Sequence, residues 1–259
     1  MSEHRQRTAA HFSRHAEAYR HSPTHAYGDD LELVARLAVA KPGERALDVA
    51  CGAGHTTVRI AKDGARVTAI DIAPGMIATT LSLAAERGLA ERVDAVLAEA
   101  AAMPFSEGSF DLVTCRIAPH HFANAPAFLK EVGRVLKPDG RLVLEDSVAP
   151  SVPAVAAFLE ALEVRRDPTH VHSLTDAEWR AGIAGAGLAI VAEALYEKIH
   201  PFAPWLARVG LDDVEAATIE REILTASAQV KAALFEIAEE RVVNYSDHKL
   251  ILHAKKPTA

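Results

Sequence analysis

The run Leu47-Asp48-Val49-Ala50-Cys51-Gly52-Ala53-Gly54-His55-Thr56 sets two glycines directly after a short apolar segment. Glycine lets the backbone turn tightly and approach a ligand with no Cβ in the way. A dinucleotide fingerprint would continue as Gly-x-Gly-x-x-Gly, but Thr57 stands at the third glycine position. The close helix contact to a pyrophosphate is therefore not prepared, which argues against NAD and FAD. Asp71 closes a second apolar run nineteen residues after Gly52. An ionised carboxylate there can accept hydrogen bonds from both hydroxyls of a ribose; a helix N-cap or a solvated turn is the structural alternative. Glu99 closes a third run and is followed by Ala100, Ala101 and Ala102. It could accept from an exocyclic adenine amine, with small neighbours letting a flat ring lie down, or be a surface acid. Histidine occurs thirteen times. His120 and His121 follow a fourth run, and His170 and His172 lie in an irregular stretch near Pro168. An imidazole titrates near neutral pH and can take a proton or hold a substrate oxygen. Asp146, after a fifth run, is a candidate base, ligand or turn acceptor.

These residues all lie where apolar runs end, so the elements that hold them can be read from the pattern. Segments 45–50, 66–70, 93–97, 110–115 and 141–145 read as buried strands. Helices are expected between them over 56–62 and 74–87, the latter started by Pro74, and along the face of Phe128, Leu129, Val132, Val135 and Leu136. Strands alternating with helices imply βαβ units and a doubly wound, mostly parallel sheet. A sixth strand over 188–194 and a last over 243–254 bring the sheet to seven. The first 40 residues read as amphipathic helix, with Phe12, Ala16 and Tyr19 on one stripe and Leu33, Leu37 and Ala40 on another. Thr175 is placed to cap a helix over 176–186. Residues 204–240 read as helical, with Ile219, Ile223, Val230, Leu234 and Ile237 on a core-facing stripe. The expected organisation is one domain over 1–259: a helical cap (1–40), a ligand-binding core (41–148) and a substrate-shaping half (149–259) carrying the helical insertion.

The chain has 259 residues, 49% of them hydrophobic and 24% charged, which suits a folded domain rather than a disordered one. Its 28 Lys and Arg against 35 Asp and Glu leave a net charge of −7. Phosphate-backbone binders normally carry the opposite bias, so no nucleic-acid partner is expected. The two cysteines, Cys51 and Cys115, give no disulfide framework and are expected to be buried and inert. No apolar run is long enough to span a membrane, and Met1-Ser2-Glu3-His4-Arg5 begins no apolar signal core. A cytoplasmic enzyme, monomeric or homodimeric, is expected. No tight His and acid spacing calls for a metal.

The segments LDVACGAGHTT, VTAIDIAPGMI, AEAAAMPFSEGSFDLVTCRIAPHHF and LKEVGRVLKPDGRLVLED resemble, in order and spacing, the core of class I S-adenosylmethionine-dependent methyltransferases. The group meant is the broad one that includes ubiquinone- and menaquinone-biosynthesis-type enzymes. The resemblance spans about residues 45–147 and implies a Rossmann-like fold and methyl transfer to a small-molecule acceptor, with S-adenosylhomocysteine as product. It implies that Asp48 to Gly54, including Ala50, Cys51 and Gly52, cradle the methionine and ribose parts. It also implies that Asp71 binds the ribose, Ile72 and Met76 pack on adenine, Glu99 and Ala100 face the adenine edge, and Arg116 and Ile117 lie near the methionine end. Ala50 replaces a frequent Gly, and Glu99 a commoner Asp. The aromatic-rich N-terminal signature of the quinone enzymes is missing, so a quinone acceptor is not implied. Tyr19, Tyr27 and His25 are placed to close the cap over the cofactor. His120 or His121 is the candidate base, and His25, Asp146, His170, His172 and Trp205 are candidate acceptor contacts. The competing readings are a protein of this fold that uses the nucleoside for regulation or non-methyl chemistry, and a nicotinamide-dependent oxidoreductase.

Overall fold

The computed structural model describes residues 3–258. Met1, Ser2 and Ala259, which fall in the expected cap and C-terminal half, lie outside the described residues. Strands β1 (Arg45–Val49), β2 (Arg66–Asp71), β3 (Val93–Leu97), β4 (Phe110–Arg116) and β5 (Leu136–Ser147) pair in parallel in the order 3-2-1-4-5. The parallel strands read as apolar runs because helices cover both sheet faces. On one face lie Val34, Ala38, Ile60, Ala61 and Ala84; on the other, Phe128, Leu129, Val132, Trp179 and Ile183. Helices α4 (His55–Lys62), α5 (Pro74–Glu86) and α6 (Ala125–Val135) link the strands. Pro74 opens α5 where no amide donor is needed, and Asn124 caps α6 by accepting from Ala127 N at 2.9 Å.

The remaining strands are antiparallel. β8 (Arg241–Lys255) runs between β5 and β6 (Ala189–Pro201), and β7 (Phe235–Ala238) pairs with β8. The sheet therefore has eight strands rather than seven, and Ile237 lies on β7 rather than on a helical stripe. The helical stretch ends at α11: α9 (Phe202–Ala207), α10 (Asp213–Thr225) and α11 (Ala228–Leu234) pack with α7 (Pro153–Arg166) around Leu159, Trp205, Ile219, Ile223 and Tyr245. β6 runs seven residues past its expected end. Its alternating polar residues hide it from an apolar count, but β8 pairs with it through Pro201. Likewise Asp139-Gly140 is a bend inside β5, not a break before it; Asp139 takes a positive φ of 61°. Thr175 does cap α8 (Asp176–Gly185), in a reciprocal box with Glu178.

Over the carboxyl ends of the parallel strands lie α1 (Glu3–Arg20) and α2 (Pro23–Ala26), and α3 (Asp29–Ala38) runs from there down one face of the sheet. Ala16, with Phe12 and Tyr19, packs on Ala73 and Met76 at the start of α5. The approach is close enough that a Cβ on Gly75 would sit 2.7 Å from Ser13 O.

Candidate functional site

The chain leaves β1 for β2 on one side and returns to β4 on the other, so the carboxyl ends of β1 and β4 flank a switch point, where open α/β sheets form their ligand crevice. The backbone is strained there. Ala50 has φ 52° and Ile117 φ 51°, both in the left-handed region that costs a residue with a Cβ about 1–2 kcal/mol. The two glycines of the turn differ in role. A Cβ on Gly54 (φ 90°) would lie 2.9 Å from Thr80 Cα, so this glycine permits the turn to pack on α5. A Cβ on Gly52 (φ 54°) would meet nothing within 4 Å: this glycine keeps space open.

Three acids sit around that turn, each with different partners. Asp48 is buried and accepts from Thr57 Oγ1 at 2.6 Å and Thr114 Oγ1 at 2.8 Å. Burial pushes its pKa up to about 6 against those two bonds. Thr57, at the missing third glycine, thus anchors the end of β1. Asp71 accepts from Gly52 N at 3.1 Å and Ala73 N at 2.8 Å, and burial raises it to about 6 as well. The first of these bonds ties the glycine turn directly to the carboxylate nineteen residues on. Glu99 forms a salt bridge with Arg5 of α1.

A cavity of about 1150 Å³, mouth included, opens above the turn. Asp48, Ala50, Cys51, Gly52, Asp71, Ile72, Met76, Glu99, Ala100, Arg116 and Ile117 line it, with Tyr19 and His25 from the cap. Gly54 does not; it lies beneath, against Thr80. Tyr27 is 78% exposed and takes no part in closing the cap, because α2 turns its ring to solvent. Arg116 lines the cavity but has its donors committed. It bonds Asp30 Oδ2 at 2.5 Å, His25 O at 2.6 Å and Thr56 Oγ1 at 3.2 Å, clamping the cap to the sheet. Lys198 shares the same Asp30 oxygen at 3.1 Å. Cys51 and Cys115 are buried, and burial pushes both thiols well up.

A second chamber of about 680 Å³ adjoins the first, and Phe12, Tyr19, His25, Ile117 and His121 line both. Its character is different: His120, Arg166, Asp167, His170, Lys198, His200, Trp205, Arg208, Asp247 and Lys249 surround it. His120 Nδ1 lies 2.6 Å from Asp146 Oδ1, while the other oxygen of Asp146 accepts from His120 N at 2.7 Å. Asp146 is thus behind the imidazole and not in the chamber. Burial alone would lower the His120 pKa, but the charge and hydrogen bond of Asp146 outweigh it and raise the pKa above its usual value. His121, bonded through Nδ1 to Thr169 Oγ1 at 3.1 Å, is held well below its usual range by burial and the neighbouring His120. Trp205 carries the Arg166 guanidinium 4.2 Å from its ring centroid. His172 turns outward to Glu160 and Glu178, because its neighbour His170 takes the inward position.

Seven of the thirteen histidines, at positions 4, 25, 55, 120, 121, 170 and 200, line one or other cavity. Asp30, Arg166, Lys198, Arg208, Asp247 and Lys249 were not singled out by the sequence. One signal was present: Tyr245, Asp247 and Lys249 alternate along β8, so they share one face, and all three are buried.

The methyltransferase-domain family matches residues 47–144. An uncharacterized methyltransferase of Bacillus subtilis (strain 168), YcgJ, is 35% identical over 214 residues, 83% of each chain. The crystal structure of YcgJ superposes with a TM-score of 0.83 at 28% identity, covering 89% of this chain and 99% of that one. The fold is also that of the [4+2]-cyclase SpnF: TM-score 0.60, 22% identity, 89% of this chain and 81% of the other. Among the described residues no helix is long and apolar enough to cross a membrane.

Proposed function

The chain belongs to the S-adenosylmethionine-dependent methyltransferases, and from that premise we propose that it transfers a methyl group to a small-molecule acceptor held in the second chamber. The observation that carries the reading is the bond from Gly52 N to Asp71 Oδ2 at the floor of a cavity that shares Tyr19, Ile117 and His121 with the chamber lined by His120. The residues suit the cofactor. Gly52 leaves room for it, and Asp71 offers a carboxylate to ribose hydroxyls. Ile72, Met76 and Ala100 offer apolar surface to adenine, with Glu99 at its edge, and Asp48, Ala50 and Cys51 line the turn. Bound there, S-adenosylmethionine supplies an already activated sulfonium methyl for in-line displacement.

The protein's own part is positioning and proton handling. Holding the nucleophile and the methyl in near-attack geometry supplies much of the rate. The cap, tied down by Arg116 and closed by Tyr19 and His25, keeps water from the throat. Asp146 fixes the His120 tautomer with its proton on Nδ1, leaving Nε2 to take a proton from the acceptor's nucleophilic atom. His121, neutral, His170 and Trp205 shape the acceptor's surroundings. In this reading residues 1–40 form the cap, 41–148 the cofactor half and 149–259 the acceptor half of one domain. The acceptor is soluble and the setting cytoplasmic, consistent with two free thiols.

Incubation with methyl-labelled S-adenosylmethionine and a fractionated metabolite extract tests the reading. Label should move into a small product as S-adenosylhomocysteine accumulates. Tight cofactor binding with no label transfer from any extract would favour regulation or non-methyl chemistry, and micromolar NADH binding would favour hydride transfer.

A further inference from the structure

Four permanent cations line the second chamber, and three of them have a carboxylate partner. Arg166 pairs with Glu163 at 2.9 Å, Lys198 with Asp30 at 3.1 Å, and Lys249 with Asp247 at 2.6 Å. Among the described residues Arg208 has none, and its only hydrogen bond is a long one, 3.4 Å from Nη2 to Thr24 Oγ1, although the residue is partly buried. The three acids of the chamber are committed elsewhere. Glu163 is held by Arg166, and Asp247 by Lys249 and His200. Asp167 accepts from Thr169 N at 2.8 Å and Thr169 Oγ1 at 2.6 Å. A guanidinium withdrawn from water without a counter-ion is costly to keep. Five donors in a planar fork suit a carboxylate or phosphate better than any other ligand.

A second observation points to the same place. The Tyr19 hydroxyl makes no hydrogen bond to the protein among the described residues, and the half-buried Tyr19 lines both cavities at the throat between them. Burial, and after it the Asp167 charge, push the phenol up to about 12, while the charges of Arg166 and then Arg208 pull it down, which places Tyr19 within reach of both guanidinium groups. An unpartnered phenol donor and an unpartnered guanidinium thus face a chamber that also holds the free nitrogen of His120.

We propose that the acceptor carries an anionic group, a carboxylate or a phosphate ester, that docks on Arg208 and the Tyr19 hydroxyl and so holds the acceptor's nucleophilic atom toward His120. This names the substrate class of the acceptor chamber and rests on the methyl-transfer reading for its meaning. The anchoring site itself exists whether or not that reading holds. Arg208 acts here as an anchor, not as a catalytic group.

The test is equilibrium dialysis of labelled inorganic phosphate, benzoate and benzylamine against the full chain, with and without S-adenosylhomocysteine, for wild type, Arg208→Gln and Arg208→Lys. Calorimetry with S-adenosylhomocysteine and a melting curve accompany each variant. At least one of the two anions should bind wild type, lose tenfold or more in Arg208→Gln and be partly restored in Arg208→Lys, while S-adenosylhomocysteine affinity and melting temperature stay as in wild type. Retention by phosphate alone assigns a phosphate ester, and by benzoate alone a carboxylate. Binding of neither anion, equal anion binding by Arg208→Gln, or preference for benzylamine, which would point to Asp167 instead, overturns the proposal. If S-adenosylhomocysteine fails to bind wild type, the methyl-transfer reading falls, and the dialysis without it still decides the anion site. Should Arg208→Gln melt early, Tyr19→Phe read in the same dialysis keeps the question decidable: it should weaken anion binding without abolishing it.

Discussion

The two cavities are built from different material. The one over β1 and β2 has a floor of backbone and small side chains, a glycine turn, alanines and one carboxylate bonded to main-chain amides, with larger side chains from α1, α2 and β4 around it. The one beside it is lined by long charged side chains from α7, β6, β8 and the residues just after α7 and α9, most of the cations paired with neighbouring carboxylates. Ligand shape on the first side is set by where the chain can turn, and on the second by which charges are left over. The first can therefore serve one constant molecule. The second can be retuned by changing single side chains without disturbing the sheet, as expected when specificity is carried by elements laid over a rigid scaffold.

The sharpest way to separate the two sides is His120→Ala. Methyl transfer should fall by about 10²–10⁴, the usual range for losing a positioned base, while S-adenosylhomocysteine affinity in calorimetry stays unchanged. Asp146→Asn should move the acidic limb of the pH–rate profile to lower pH. The Asp146 charge is what lifts the His120 pKa, and burial alone pulls it down. A limb that stays in place or moves upward would separate His120 from catalysis.

On the cofactor side, Asp71→Ala should weaken S-adenosylhomocysteine by about 1–3 kcal/mol, the scale for hydrogen bonds to a charged acceptor. Wild-type affinity should also rise between pH 5 and 7.5. Burial raises Asp71 to about 6 in the free protein, so it is mostly protonated at the lower pH and accepts from the ribose fully only when ionised. An Asp71→Asn variant should lose that pH dependence.

The glycine pair gives a further contrast, smaller in size. Gly54→Ala should cost about 1–3 kcal/mol of stability through backbone strain and the clash with Thr80, lowering the melting temperature by several degrees, since each kcal/mol shifts a domain of this size by roughly 2–4 °C. Gly52→Ala should spare more of the melting temperature yet lower cofactor affinity, because its Cβ enters open space in the cavity. Equal loss of stability with intact affinity in both would erase the distinction. Ala50→Gly should have the smallest effect, a gain of about 1 kcal/mol or less in a denaturant melt, as relief of the left-handed φ is partly offset by glycine's chain entropy.

This same division explains what could be read from the chain alone. The cofactor half is written locally: Gly52, Gly54 and Asp71 fall at strand ends that an apolar count locates, and the parallel pairing follows from the alternation. The acceptor half is not. Arg208 and Lys198 come together only because β6 extends beside β8 and α9 folds back over it, and a 13-residue strand of alternating polar and apolar residues gives little apolar signal. Asp146 was expected as an acceptor contact but serves His120, a pairing across 26 positions that no spacing rule announces. Arg116, expected near the methionine end, lines the first cavity, where Asp30 and His25 already hold its guanidinium.

A crystal structure of the full chain with S-adenosylhomocysteine bears most directly on the assignment of the two cavities. The ribose hydroxyls should lie on the Asp71 carboxylate, the adenine between Ile72 and Ala100, and the sulfur at the throat by Tyr19 and Ile117, aimed at the His120 chamber. Nucleoside density in the charged chamber, or a ribose out of reach of Asp71, would contradict it.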